Sequence, residues 1–214
     1  YVATAARHIL FWSVPIIALM VILRAHAVRV ILGTGEFNWT DTRLTSAALA
    51  LFALSLTAQS FTLLLVRAYY AGGKTLVPFV VTALTAGAAL IASILTLFIF
   101  RDHAVMSFVE SVLRVEDVFG TEILALPLAY SGAAILGACA LAIHFNMKHP
   151  GFFAAIANAF WESITAAFFA GVAAYGMLVV LGTVTLSSTL GSVLLRGGIA
   201  GVIGIATAAL VYPL

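Results

Sequence analysis

Residues 44–100 read LTSAALALFALSLTAQSFTLLLV, then RAYYAGGKT, then LVPFVVTALTAGAALIASILTLFIF. Two long apolar runs flank a short polar hinge, Arg67 to Thr75. A helix crossing the roughly 30 Å hydrocarbon core needs about 20 predominantly apolar residues, and each run meets that length. Between them stand Arg67, Lys74, the aromatic pair Tyr69 and Tyr70, and Gly72 and Gly73, with Pro78 just beyond. Cations, tyrosines and glycines are what a chain needs where it leaves a bilayer, turns and re-enters. The stretch predicts two antiparallel membrane-spanning helices.

The rest of the chain repeats the pattern. Of 214 residues, 64% are hydrophobic and 8% charged, and mean hydropathy is +1.18. A soluble domain carries about 25% charged residues, so this chain cannot cover a water-facing surface. Apolar stretches run near 9–31, 44–66, 76–100, 123–145, 160–181 and 194–214. None alternates in polarity as a barrel strand would, and backbone groups in lipid must be bonded internally. The expected fold class is all-α: a polytopic transmembrane bundle of about six helices.

The connectors differ. Residues 33–43 form a tight polar loop, 67–75 and 146–151 hold cations and no acid, 101–122 mixes both signs, and 182–190 is rich in Gly, Ser and Thr. From Val105 to Val118 apolar residues recur at helical spacing with charges between, which predicts a short amphipathic helix on the membrane surface. Placing 67–75 and 146–151 in the cytoplasm suits the positive-inside tendency. The net charge of +2 and the lack of a basic run give no reason to expect nucleic acid. Cys139, the single cysteine, has no disulfide or thiol-metal partner. The chain starts at Tyr1 and stops at Leu214 without a polar tail, so it is expected to be part of a longer protein.

Enzymatic signatures are missing: no HExxH, GxSxG or phosphate-cradling glycine loop occurs. No catalytic residue, cofactor or metal is expected. His8, His26, His103, His144 and His149 sit near predicted helix ends without metal-ligand spacing. Glu162 is an acid near the start of a span, and Arg24 and Arg29 lie near the end of another, where snorkelling accounts for them. Ser55, Gln59 and Thr62 share one face of the second span; Thr82, Thr85, Ser93 and Thr96 share one face of the third. Such stripes glue helices together or line a wet cavity. Gly197, Gly201, Ala200, Gly204, Ala170 and Ala174 at four-residue spacing predict close helix packing. In the hinge, Arg67 can fork onto a phosphate and Lys74 meet one as a point charge. Asn38-Trp39-Thr40 matches a glycosylation sequon and carries no weight here.

The stretch Arg29-Val-Ile-Leu-Gly-Thr-Gly-Glu36-Phe37, then Asp41, then Arg67-x-Tyr69-Tyr70-Ala-x-Gly-x-Thr-x-x-Pro78, resembles the MurJ/MviN family of lipid II flippases. Residues 124–131 and 199–204 are similar to later segments of that family. Lys74 stands where the family usually has aspartate, and Val77 where it has threonine. The resemblance implies a two-lobed fold of the superfamily that also contains multidrug and polysaccharide-lipid exporters. This chain would be its C-terminal portion, with 1–146 holding helices of the second lobe and 147–214 the last two helices, which border a groove for the lipid tail. The first lobe and its functional arginines would lie outside the chain.

The same resemblance implies a transporter, not an enzyme, of a bacterial plasma membrane. It would move undecaprenyl-linked peptidoglycan precursor outward by alternating access. Arg67, Tyr69, Tyr70, Lys74 and Pro78 are the candidate hinge or headgroup contacts, and Arg29, Glu36, Phe37 and Asp41 the candidate outer gate. Expected partners are the lipid-linked precursor, membrane lipids and the first lobe. The alternatives are an exporter of another polysaccharide-lipid or of drugs, a membrane-embedded isoprenoid transferase, and a non-transporting scaffold.

Overall fold

The computed structural model describes residues 1–33, 37–182 and 189–212. Among the described residues it is α-helical without strands. In chain order the helices are α1 (Val2–Ile22), α2 (Arg24–Leu32), α3 (Trp39–Ala53), α4 (Leu56–Ala71), α5 (Leu76–Ile99), α6 (His103–Leu113), α7 (Ala125–Lys148), α8 (Phe152–Leu181) and α9 (Leu190–Val211), with a 3-10 turn at Thr121–Leu124 before α7. Six segments among the described residues are long and apolar enough to cross a membrane: α1, α3 with α4, α5, the 3-10 turn with α7, α8 and α9.

Three boundaries depart from the hydropathy reading. The first span begins at Val2 rather than near residue 9 and breaks at Leu23, so 24–32 forms a separate helix, α2. The fifth begins at Phe152 rather than near 160, started by Gly151 at φ 94. The second span continues from Trp39 to Ala71, interrupted at Leu54 and Ser55, where the Ser55 Oγ donates to the Phe52 carbonyl at 2.7 Å. Hydroxyl back-bonding of this kind satisfies a carbonyl where the helical ladder is interrupted. At about 1.5 Å per residue such a segment is longer than the bilayer core.

The helices pack in sequence across the bundle. α5 lies on α7, α7 on α3 and α4, α4 on α1, α1 on α8, and α8 on α9, while α2 reaches α3 and α9. Small residues set the closest seams. Ala170, Ala174 and Ala200 are fully buried, and a Cβ at Gly204 would run into Leu19, the Ala170 carbonyl and Ala174. At Gly137 of α7 a Cβ would strike the Thr85 side chain of α5. One buried apolar cluster joins α1, α4, α7 and α8 around Leu65, Tyr69, Leu141 and Phe145, and another joins α3 to α7 and to Leu113, Val115 and Val118.

The amphipathic segment expected at 105–118 is helical from His103 to Leu113. Asp102 caps its start, accepting from the Ala104 N–H at 2.9 Å, and Arg114 ends it at φ 60. Two arginines hold its exit: Arg24 donates to the Leu113 carbonyl at 2.7 Å and Arg43 to the Arg114 carbonyl at 2.6 Å. Cations at carbonyls left over by a helix end are favourable, so Arg24 has a specific partner beyond snorkelling.

Chain direction sorts the charges. Arg7, Arg67, Lys74, Lys148 and Glu162 lie toward the end holding the 67–75 and 146–151 connectors. Arg24, Arg29, Arg43, Arg101, Arg114 and Arg196 lie toward the opposite end, as do Asp41, Asp102, Glu110, Glu116, Asp117 and Glu122.

Candidate functional site

The hinge is built by the end of α4. Gly73 takes φ 70, and the Lys74 N–H donates to the Tyr69 carbonyl and the Gly73 N–H to the Tyr70 carbonyl, each at 3.0 Å. This pair of bonds is the Schellman motif, which needs a left-handed residue at that position, usually glycine. Pro78 falls in the first turn of α5, where its missing N–H would have no intrahelical acceptor.

The five hinge candidates separate. Arg67 and Lys74 are exposed. Tyr69 is buried at 4% exposure, and its hydroxyl lies 2.6 Å from Nδ1 of His144 on α7. Tyr70 and Pro78 line a cavity of 560 Å³ between α4, α5 and α7. Arg67 and Lys74 are not among its lining residues.

That cavity also brings together part of each polar stripe. Gln59 and Thr62 of α4 face Thr82 and Thr85 of α5 across it, with Tyr130 of α7. The hydroxyls of Thr82, Thr85, Ser93 and Thr96 donate to carbonyls four residues earlier in their own helix, at 2.7–2.8 Å. Gln59 donates to Ser55 at 2.7 Å. Within α5 the stripe is therefore not interhelical glue. In the cavity, the Thr82 oxygen keeps a lone pair for a polar guest or water, while Thr85 packs against Gly137 of α7.

A second environment runs along α8. A 530 Å³ cavity between α1, α4, α7 and α8 is walled by Leu10, Phe61, Ile135, Ile156 and Phe160, with Cys139 at its edge. A 610 Å³ cavity between α1 and α8 follows it, and Leu54 borders both. Their walls are almost wholly apolar.

At the opposite end of the bundle, Arg29 Nη1 donates to the Phe37 carbonyl at 3.4 Å. Asp41 sits in a capping box that starts α3: its carboxylate accepts from the Asn38 N–H at 3.0 Å, and its own N–H donates to the Asn38 side chain at 2.9 Å. Arg29, Phe37 and Asp41 thus share one loop region, and Glu36 lies outside the described residues. Most of the connector at 182–190 lies outside them too.

Sequence reasoning missed His144 as a partner of Tyr69, because the two are far apart in the chain. It also missed a cavity where Arg7, His8, Glu162 and Tyr212 meet. The spacing of Leu65 with Tyr69, and of Leu141 with Phe145, does mark the faces on which α4 and α7 touch.

Six membrane-length apolar segments among the described residues define a multi-pass α-helical membrane protein. The sequence profile of the family described as Lipid II flippase MurJ matches residues 1–194, and the chain belongs to that family, whose members are flippase-type membrane transporters. No curated protein matches the chain.

Proposed function

We propose that this chain is part of a machine that carries undecaprenyl-linked peptidoglycan precursor outward across the bacterial plasma membrane. An amphiphile of that kind needs a wet path for its headgroup and a dry one for its tail. The observation that supports the reading is the pairing, in one bundle, of a mixed cavity between α4, α5 and α7, where Gln59, Thr62, Tyr70, Thr82, Thr85 and Tyr130 stand among apolar walls, with the almost wholly apolar groove along α8. Arg67 and Lys74, exposed in the hinge that also carries Tyr70, are suited to the pyrophosphate. The groove is suited to isoprenoid units, and burial of apolar surface would hold them there at about 25 cal/mol per Å².

Transport would proceed by alternating access, with this bundle moving against the remaining lobe. Arg29, Phe37 and Asp41, together with Glu36, would act at the outer gate. The cation-bearing connectors at 67–75 and 146–151 would face the cytoplasm. Residues 1–146 would form second-lobe helices and 147–214 the tail-binding pair. Transport requires no covalent step.

The test is substrate competition in proteoliposomes carrying the protein as its gene encodes it. Labelled lipid II should cross, and unlabelled lipid II should compete better than undecaprenyl-pyrophosphate bearing a different glycan. Equal competition would reassign the protein to export of another polysaccharide-lipid, and no transport of either would leave a scaffold role.

A further inference from the structure

A cavity of 440 Å³ lies between α1, α8 and α9, lined by Arg7, His8, Phe11, Trp12, Ala159, Glu162, Ser163 and Tyr212. It is separate from the polar cavity and the apolar groove described above. Its frame is fixed. Tyr212 donates to the Phe11 carbonyl at 2.6 Å and its ring lies 4.0 Å from that of Phe11, pinning the end of α9 to α1. Arg7 Nε donates to the Ala155 carbonyl at 2.6 Å, pinning the guanidinium to α8. Ser163 is fully buried, and its hydroxyl donates to the Ala159 carbonyl.

Within this frame the two opposite charges do not neutralise each other. Arg7 and Glu162 border the same cavity, yet the ion pair formed between described residues is Arg43–Asp117, at the far end of the bundle. Glu162 lies about 15 Å along α8 from its start, below the level of Arg7's contact at Ala155. Glu162 is exposed on the surface of a helix long and apolar enough to cross a membrane, and an acid on such a helix calls for a partner. A cavity with a cation at one place, an anion at another and space between them is complementary to a zwitterion.

We propose that this cavity binds the headgroup of a zwitterionic glycerophospholipid carrying a primary ammonium, a phosphoethanolamine lipid. The phosphate meets the terminal amino groups of Arg7, and the ammonium meets the carboxylate of Glu162. The walls fit a lipid better than a soluble zwitterion: Trp12, Phe11 and Tyr212 are aromatic residues of the type that sits at headgroup level, and Trp12 is 63% exposed on the bundle's surface. A primary ammonium offers three donors to a carboxylate, which a trimethylammonium does not. An anionic headgroup would meet Arg7 but gain nothing from Glu162.

The experiment is native mass spectrometry of the protein as its gene encodes it, released from micelles doped with equal amounts of phosphatidylethanolamine, phosphatidylcholine and phosphatidylglycerol of matched chains. The wild type should retain phosphatidylethanolamine about tenfold over either competitor, the scale of one charge-assisted hydrogen-bonded contact. Glu162→Gln should abolish that preference and Glu162→Asp should keep part of it. Equal retention of the three lipids by the wild type would overturn the proposal without recourse to any variant. So would preference for phosphatidylglycerol, which would mark a plain anion site at Arg7, or a preference that survives Glu162→Gln.

Discussion

The phenol of Tyr69 and the imidazole of His144 meet at 2.6 Å, tying the last turn of α4 to α7 directly beneath the hinge. Tyr69 is also packed edge-on against Phe145. The first of two adjacent tyrosines therefore anchors the hinge, while the second, Tyr70, is 53% exposed and borders the polar cavity.

Loss of the phenol alone should be mild. Tyr69→Phe removes one hydrogen bond and should lower stability by about 1 kcal/mol. Tyr69→Ala also removes the ring and should cost about 3–5 kcal/mol. Unfolding in mixed micelles, followed by circular dichroism, separates the two; equal losses would mean the ring contributes nothing.

The seam between α5 and α7 depends on Gly137. A methyl there collides with Thr85, and overpacking of this kind costs about 1–3 kcal/mol. Gly137→Ala should be destabilising, and Thr85→Ala should rescue it, because residues in contact couple in a double-mutant cycle. Additive effects would show that the helices are not held this close.

Cys139 reports on the apolar groove. It is exposed and borders the 530 Å³ cavity beneath α8. An apolar maleimide should label it faster than a charged thiosulfonate of similar size, and an undecaprenyl phosphate should protect it. Labelling indifferent to both probe polarity and added lipid would remove the groove from the transport path.

His26, on α2 and outside the six membrane-length segments, is 6% exposed, and neither ring nitrogen has a hydrogen-bond partner. Burial, then the nearby Arg196 guanidinium, pushes its pKa below the ordinary imidazole value. The unfolded chain thus takes up a proton that the folded one resists. The stabilisation is present above about pH 6.5 and is lost as the pH falls from there through the lowered folded value. Melting temperatures at pH 7.5 and 5.5 should differ more for the wild type than for His26→Phe; an identical pH response would show that His26 is not the group responsible.

Much of this architecture was legible in the sequence, and the gaps have physical causes. Hydropathy located all six spans, because a bilayer imposes length and composition together. It placed the starts of α1 and α8 poorly. Arg7 and His8 lower the local average at the start of α1 without interrupting the helix, while the start of α8 is set by Gly151 and not by a change in hydropathy. The helix interruptions at Leu23 and Ser55 leave no mark on hydropathy at all. In the hinge, the glycine pair signalled a turn, and Gly73 supplies it. Which tyrosine turns inward was not readable, since neighbouring helical residues point about 100° apart and only the position of α7 decides between them. Asp41 shows a different limit. Its three-residue spacing from Asn38 spells a capping box, so the acid that the family resemblance assigned to the outer gate also has a local structural task.

Transport of lipid II is tested most directly in bacteria depleted of their own lipid II flippase and supplied with the gene for this protein. Lipid II exposed on the outer face of the plasma membrane is the quantity to measure. Exposure and growth should return with the wild type and fall severalfold with Arg67→Ala and Lys74→Ala combined. Stability should change by less than about 0.5 kcal/mol, as expected for exposed side chains. Good insertion into the membrane with no lipid II exposed would contradict the assignment, and full exposure by the double variant would remove the hinge cations from the mechanism.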